Sequence, residues 1–527
     1  MPGQEAWRAK ALRARAPDRP THGASQIPKT RCRSRISIDC KRVHLRQLNI
    51  VGGSANASVA GPRHARLIPA ELGVPLNVTV ERGCVSDAKT GRPLRIAQTA
   101  WAFTEAANEP FFALVQRFVF ASYFANQLFS DPDAGAESWG YALAAAGFIV
   151  GVLGPTLGAF ADAAGPRKPW IAMLMGASIL ACSALWFAAP GTDALLVAIA
   201  IVIATVAMEL LVVFTNAALT SLASPSRIGL LSGVCFGLGQ IAGLLALVAI
   251  LAASEIEGIF GLPDSAHAVE RLTGPIAAAA VLVFLTPYML VAPDEPVRPF
   301  SDRLQAARAG LSTLWLTFRD AIANPSMRAF IIGRAIGADG MSLLFAFGGI
   351  LAVTLFGWTA DRIAVFGIIV TVFAALGGFA GGWIDARLGS RNTIIAGFCI
   401  VAIGAVGLIG AGDARIAFVA VAPTLGPLGF TLPELGFVAS AICVAIGSGP
   451  AIASMRALMA KIAPLERMTA YFGLYSLVGK ATFFLGPLAY AAASRALGNS
   501  QLALGVCFVF LAVGIVAFMN VREERMA

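Results

Sequence analysis

The sequence GAFADAAGPRKPW, residues 158–170, lies between two long apolar segments, and a related sequence, GGWIDARLGSR, begins at Gly381. In both, a glycine is followed four residues later by an aspartate, Asp162 or Asp385, and then by a second glycine and basic residues. The two copies are about 220 residues apart. A charged turn that recurs at the exit of an apolar helix predicts two homologous helical bundles in a membrane.

The composition supports a membrane protein. Hydrophobic residues make up 57% of the chain, charged residues make up 13%, and the mean hydropathy is +0.74. Soluble domains carry about 25% charged residues, so we exclude a soluble globule. A membrane-spanning helix needs about 20 mostly apolar residues. Segments of this kind predict an all-α integral membrane protein with twelve spans, at residues 104–127, 139–161, 170–189, 194–214, 230–252, 274–292, 329–353, 363–384, 392–410, 435–455, 470–493 and 501–520.

The distribution of basic residues predicts the orientation. The alternate loops that share a side with both termini hold 15 Lys and Arg after residue 100, whereas the other loops hold 4. Because Lys and Arg are retained on the cytoplasmic side, we expect both termini in the cytoplasm and a multi-pass protein of the bacterial inner membrane. The predicted organisation is a basic tail (1–96), a six-helix bundle (97–292), a cytoplasmic linker (293–328), a second six-helix bundle (329–520) and a short tail (521–527).

The first 100 residues differ from the rest in charge. They hold 18 Lys and Arg against 6 Asp and Glu, whereas the remainder holds 22 against 24. We interpret the tail as disordered or as an over-extended gene start. Binding of anionic lipid or nucleic acid is the alternative, but the tail has no interleaved aromatic residues, and we expect no nucleic-acid partner.

No pattern of residues predicts a cofactor, a metal site or an enzyme. The eight cysteines form no CxxC pair, and the four histidines lie outside the predicted spans. The sequence GLYSLVGKAT, residues 473–482, differs from a phosphate-binding loop in spacing and lies in an apolar helix. If this membrane protein moves a solute, the absence of a nucleotide-binding motif predicts that a gradient, rather than ATP hydrolysis, drives the movement.

Charged residues inside the spans are the candidates for a solute or ion pathway, because burying a charge in a bilayer costs about 2.5–3.5 kcal/mol. The first span carries Glu105, Asn108, Glu109 and Arg117. The two glutamates share a helix face. They line a cavity or, alternatively, lie in the headgroup region, whereas Arg117 is deeper.

The second half of the chain carries Arg334 and Asp339 in the seventh span and Lys480 in the eleventh. Arg334 and Asp339 are five residues apart and should not face each other. We therefore predict an Asp339–Lys480 ion pair, either structural or part of a solute or proton site. Glu209 is a candidate counter-ion for Arg227 or for the turn at Gly158.

The repeated turns are candidate conformational latches. A glycine allows close helix approach, and an aspartate can cap a neighbouring helix. Glycines in the fifth span, such as Gly239 and Gly243, allow either sliding contacts or ordinary packing. The latch candidates are Gly158, Asp162, Gly165, Arg167, Lys168, Asp385, Arg387 and Arg391.

Four further motifs carry a family resemblance. They are FTNAALTSLASPSRIGLLSGVCFGLGQIAG from Phe214, RAIGADGMSLLFAFGGI from Arg334, SMRALMAKIAP from Ser454 and FGLYSLVGKATFFLGP from Phe472. With the twelve spans, they resemble the major facilitator superfamily, and within it the branch related to the vacuolar amino-acid effluxers of fungal autophagy. The resemblance covers residues 97–520 and implies a permease that works by alternating access. The first helix of that branch carries the pattern Tyr-Asp-Trp-Ala-Asn. At the corresponding positions of this chain, Glu105 keeps the carboxyl group and Asn108 keeps the amide.

The expected function is therefore secondary transport of a small polar solute, such as an amino acid or a related metabolite, by efflux or with protons. The expected partners are the solute, the lipid bilayer and protons, and we expect a monomer. A membrane receptor or sensor with a transporter fold is the alternative.

Overall fold

The structure, a computed structural model, describes residues 35–38, 66–67, 76–81 and 92–523, apart from 223–224, 257–265, 295–299, 427–428 and 465–466. The chain divides into two units, residues 1–91 and residues 92–527. The first unit contains an antiparallel sheet of β1 (Arg35–Ile38), β2 (Arg66–Leu67) and β3 (Leu76–Glu81), in the order β1-β3-β2. The interpretation of the tail as disordered or as an over-extended gene start stays a prediction, because most of its residues lie outside the described ones.

The second unit is a set of membrane helices, which we number I to XII in chain order. Eleven helices in the described part are long and apolar enough to cross a membrane. Helix I is the twelfth, and it is divided into four helical segments that carry charged residues. The predicted class, an all-α membrane protein with two six-helix bundles, is confirmed.

The first bundle consists of helices I to VI. Their bounds are Arg92–Ala102, Thr104–Pro110, Phe111–Arg117 and Val119–Gln127 for helix I, Pro132–Ala164 for II, Lys168–Ala184 for III, Ala194–Leu222 for IV, Pro225–Ser254 for V and Ala268–Val291 for VI. A linker helix, Phe300–Ala323, follows.

The second bundle consists of helices VII to XII. Their bounds are Pro325–Ile332, Gly333–Gly337 and Ala338–Phe356 for helix VII, Ala360–Leu388 for VIII, Ser390–Ile409 for IX, Leu432–Ile462 for X, Met468–Ala481 and Leu485–Leu497 for XI, and Ser500–Ala503 and Val506–Met519 for XII. The loop between helices IX and X contains the hairpin of β4 (Arg415–Ile416) and β5 (Val419–Ala420).

The first helix of each bundle changes its winding at charged residues. In helix I, the segment Phe111–Arg117 is π-helical and follows Pro110. In helix VII, the segment Gly333–Gly337 is π-helical and has a glycine at each end. Wider turns of this kind are common at functional sites, and they lie at equivalent places in the two bundles.

We call the side that contains the start of helix I, Arg92, and the end of helix XII, Met519, the termini side. We call the side that contains the end of helix I, Gln127, and the start of helix II, Pro132, the opposite side. On the opposite side the bundles are joined directly. The Thr354 hydroxyl donates to Asn126 Oδ1 at 3.0 Å, and the backbone N–H of Ser500 donates to Asp133 Oδ1 at 2.8 Å.

Helices II and XI form a close seam between the bundles. Three glycines of helix II face helix XI, namely Gly140, Gly147 and Gly151. An added Cβ would lie 3.0 Å from Ala491 Cβ at the first, 2.9 Å from Phe484 N at the second and 3.2 Å from Ala481 O at the third. The last two meet helix XI where it is interrupted, between Ala481 and Leu485. The seam fixes the bundles together from the opposite side to mid-membrane.

Candidate functional site

Helix I places polar side chains in the bundle interior over the segment Thr104–Pro110. Asn108 is 2% exposed, and its Nδ2 donates to the Thr104 carbonyl at 3.1 Å. Its Oδ1 has no partner among the described residues. Asn108 is therefore enclosed by protein, and the depth of the two glutamates in the membrane stays a prediction.

Glu109 is paired within helix I. Arg117 Nη1 donates to Glu109 Oε1 at 2.6 Å, although the residues are eight positions apart. The guanidinium also lies 5.9 Å from the centre of the Phe112 ring. Arg117 is the last residue of the π-helical segment, so the wider turn carries this contact. The prediction that Arg117 is a cavity residue remains open to test.

Helix V lies directly against the two glutamates. A Cβ at Gly239 would be 2.9 Å from Glu105 Cβ, and a Cβ at Gly243 would be 3.0 Å from Glu109 Cγ. These glycines therefore allow helix V to approach helix I at its charged face.

Arg334 in helix VII has the same local setting as Arg117. It lies in the π-helical segment of its helix, and its guanidinium carbon is 4.8 Å from the centre of the Tyr475 ring in helix XI. Gly479 leaves room for the guanidinium, since an added Cβ there would contact it. Arg334 is thus held by an aromatic ring and a backbone surface.

The predicted Asp339–Lys480 ion pair is wrong. Lys480 Nζ instead bonds to Glu209 in helix IV, so the lysine pairs with the other bundle. Asp339 is 4% exposed, and its Oδ2 has no partner among the described residues. The prediction failed because it assumed that a charge is neutralised within its own bundle.

Glu209 pairs with Lys480, a partner that the sequence analysis did not consider. Glu209 lies near the middle of helix IV and is 6% exposed. The side chain of Arg227, its predicted partner, lies outside the described part. Two oppositely charged groups therefore connect helices IV and XI at mid-membrane.

Glu105 completes a charged cluster at the junction of the bundles. It interacts electrostatically with Glu109, Glu209, Lys480 and Arg456. The side chains of Lys480 and Arg117 are 32% and 31% exposed although both lie well inside the helices.

The first predicted latch is held by a residue that the sequence analysis missed. The side chain of Asp162 lies outside the described part. Asp294, just after helix VI, accepts hydrogen bonds from the backbone N–H groups of Arg167 at 2.8 Å and Lys168 at 3.2 Å. These amides begin helix III, and the Arg167 guanidinium donates to the Ala217 carbonyl at 3.2 Å.

The second predicted latch has an equivalent contact. Glu523, just after helix XII, accepts a hydrogen bond from the backbone N–H of Arg391 at 2.8 Å, at the start of helix IX. Lys461 of helix X lies 3.7 Å from Glu523 and donates to Asp385 at 3.2 Å and to Ser390 at 2.6 Å. Each bundle therefore has an acid after its last helix that caps its third helix.

An added Cβ at Gly158 would meet no described residue within 4 Å, so the close helix approach predicted at this glycine is not seen. Gly165 and Gly389 adopt positive φ angles of 98° and 78°, which let the chain turn between helices. Arg387 lies over the Trp383 ring at 3.5 Å from its centre. The signal for the two capping acids was available in the sequence, since each follows the last apolar segment of its bundle within a few residues.

The linker helix is attached to helix XI on the termini side. Arg467 donates to Asp320 at 2.7 Å, and this hydrogen bond raises the pKa of Arg467. Trp315 of the linker helix is 64% exposed.

Among the described residues, no three His, Cys, Asp or Glu side chains come together as a metal site.

Twelve helices in two bundles, with a charged turn repeated in each, define a transporter of the major facilitator type. The family model described as "Vacuole effluxer Atg22 like" matches residues 223–527. The chain belongs to this family.

Two relatives and one solved structure support the class. The chain is 23% identical over 439 residues to the uncharacterized MFS-type transporter YxiO of Bacillus subtilis (strain 168), covering 81% of this chain and 95% of that protein. It is 23% identical over 222 residues to autophagy-related protein 22 of Kluyveromyces lactis, covering 41% and 42%. The crystal structure of a D-xylose-proton symporter aligns with a TM-score of 0.59 and 14% identity, covering 81% of this chain and 98% of that one, which shows a shared fold.

Proposed function

We propose that this major-facilitator-type transporter is a secondary active permease for a small polar solute, with amino acids and related metabolites as the candidate class. The observation that carries the proposal is the Lys480–Glu209 pair, which joins the bundles at mid-membrane within a cluster of further charges. A polar solute entering between the bundles meets both signs of charge at one depth. Ion pairs that span the bundles can break and re-form as the bundles move.

We further propose that the termini side is cytoplasmic and that the protein resides as a monomer in the bacterial inner membrane. The excess of basic residues in the termini-side loops supports this orientation. With that orientation, the contacts of Asn126 with Thr354 and of Asp133 with Ser500 close the external side. We therefore infer a conformation that is closed on the external side.

The capping acids hold each bundle together during the proposed cycle. Asp294 and Glu523 fix helices III and IX to the ends of helices VI and XII. Each bundle is thereby held as one body, and the change of state is a rocking of one bundle against the other. The gradient of the solute itself or a proton gradient supplies the driving force for transport.

Uptake into proteoliposomes tests the function. The full-length protein would be reconstituted and assayed with individual radiolabelled amino acids and other small polar metabolites, with and without a pH gradient. Protein-free liposomes and liposomes with Lys480→Met are the controls. We expect saturable uptake of at least one solute that the Lys480→Met protein carries more slowly.

A sensor with a transporter fold would give the opposite result. It would bind a solute, seen as a rise in thermal stability, without moving any solute in either direction. That outcome would overturn the proposed transport function.

A further inference from the structure

Asp339 is a buried carboxyl group without a lysine partner. It lies near the middle of helix VII, follows the π-helical segment Gly333–Gly337 and is 4% exposed. Its Oδ2 accepts no hydrogen bond from the described residues. The one lysine at similar depth in its own bundle, Lys480, is bonded to Glu209.

The neighbours of Asp339 leave it poorly neutralised. Arg334, five residues earlier on helix VII, acts on the Asp339 carboxyl through its charge, and the Thr482 hydroxyl on helix XI is a hydrogen-bond donor to it. No salt bridge joins Arg334 to Asp339 in the described part of the chain, and the guanidinium lies over the Tyr475 ring instead. The Asp339 side chain therefore has no ionic partner in contact with it.

Helices XI and XII enclose this position with apolar or backbone surface. A Cβ at Gly340 would be 2.8 Å from Phe510 Cβ and 3.2 Å from the Cys507 carbonyl of helix XII. Gly486 of helix XI packs against the Asp339 carbonyl. An ionised carboxylate here would lose its hydration with no cation in contact among the described residues and with a neutral hydroxyl, that of Thr482, as the donor that reaches it, so the neutral acid is favoured.

We propose that Asp339 is a proton-binding site and that it holds a proton in this conformation. The nearby polar group, Thr482, lies where helix XI is interrupted, and Lys480 is two residues away on the same helix. When helix XI moves, water or Lys480 reaches Asp339, and the carboxyl releases its proton to water as the carboxylate forms. The role of Asp339 in transport rests on the proposed function, whereas the protonation of Asp339 does not.

Infrared difference spectroscopy on the full-length protein in lipid nanodiscs tests the protonation. The variants are Asp339→Asn and, as a matched control, Asp193→Asn, which removes an exposed carboxyl from the opposite-side loop between helices III and IV. At about pH 7, we expect the wild type and Asp193→Asn to show a protonated-carboxyl stretch that Asp339→Asn lacks. Identical spectra for the wild type and Asp339→Asn would overturn the proposal.

Thermal unfolding at the same pH gives a second readout. If Asp339 is neutral, the amide of Asp339→Asn replaces it without loss, and the melting temperature stays within the range of the Asp193→Asn control. If Asp339 is ionised and stabilised by Arg334, Asp339→Asn leaves a buried guanidinium uncompensated and melts clearly lower. That lower value would also overturn the proposal.

The transport consequence separates the two proposals. With the solute found by the uptake screen, Asp339→Asn should retain exchange of labelled for unlabelled solute but lose the accumulation driven by a pH gradient. Accumulation equal to that of the wild type would overturn the coupling role of Asp339. If the wild type moves no solute at all, the proposed function fails, and the infrared result still decides whether Asp339 holds a proton.

Discussion

Lys480 of helix XI and Glu209 of helix IV form an ion pair between the two bundles at mid-membrane. Glu209 is 6% exposed, whereas 32% of the Lys480 side chain is exposed. The pair therefore ties helix IV of the first bundle to helix XI of the second.

Removing one partner of this pair should destabilise the protein. Lys480→Met leaves a buried carboxylate and Glu209→Gln leaves an ammonium, each at a cost of about 3–5 kcal/mol unless the survivor becomes neutral. The double variant should unfold closer to the wild type. Thermal unfolding in detergent measures this, with Arg467→Gln, which breaks the exposed pair with Asp320, as a control of small effect. A double variant less stable than both single variants would contradict the pairing.

The close seam between helices II and XI should be sensitive to a single methyl group. Gly147→Ala places a Cβ 2.9 Å from Phe484 N. We therefore expect helices II and XI to separate and the contact between Asn126 and Thr354 on the opposite side to open. Gly176→Ala in helix III meets nothing within 4 Å and should be neutral or stabilising, because Ala is favoured over Gly in a helix by about 1 kcal/mol. Labelling of a cysteine introduced at Asn126 by a water-soluble maleimide should be faster in Gly147→Ala. Equal labelling rates in both variants would argue against the seam.

The capping acids should control turnover more than solute affinity. Asp294→Ala and Glu523→Ala each remove a helix cap, which costs about 0.5–2 kcal/mol, and neither residue belongs to the mid-membrane cluster. We expect a changed transport rate with an apparent affinity close to that of the wild type. Initial rates over a range of solute concentrations separate the two quantities. A large loss of affinity with unchanged maximal rate would place these acids in the solute pathway instead.

The orientation can be tested without a known solute. A reporter fused after Asp294 should be cytoplasmic, and one fused after Asp131 should be external, because the basic residues lie mainly in the loops on the termini side. An alkaline phosphatase fusion reports the external site and a green fluorescent fusion reports the internal one. Both fusion points on one side would contradict the arrangement of helices.

Much of the fold could be predicted from the sequence because hydropathy and loop charge are local properties. The repeated turns at Gly158 and Gly381 and the apolar spans required no tertiary information. The partner of Lys480 could not be predicted, because Glu209 is brought to it by the packing of one bundle on the other. The division of helix I also escaped prediction, since the effect of Pro110 on the following turns depends on the helices around it.

The candidate site was predicted in composition but not in its contacts. Glu105, Glu109 and Arg117 were found because charges in apolar spans are rare. The Glu109–Arg117 pair was missed because an eight-residue separation does not suggest contact in a regular α-helix, and it forms here across a π-helical segment. The acids Asp294 and Glu523 were missed because charged residues after a last membrane helix are common.

Alternating access is the central claim, and a reversible lock on the opposite side tests it most directly. In a cysteine-free background, Asn126→Cys and Thr354→Cys would be combined, since these side chains are in hydrogen-bond contact at 3.0 Å. Oxidation to a disulfide should abolish transport of the solute found in the uptake screen, and reduction should restore it, whereas Asn126→Cys alone should be unaffected by the oxidant. Full transport by a completely cross-linked protein would contradict the account, because the bundles would then carry solute without separating on that side.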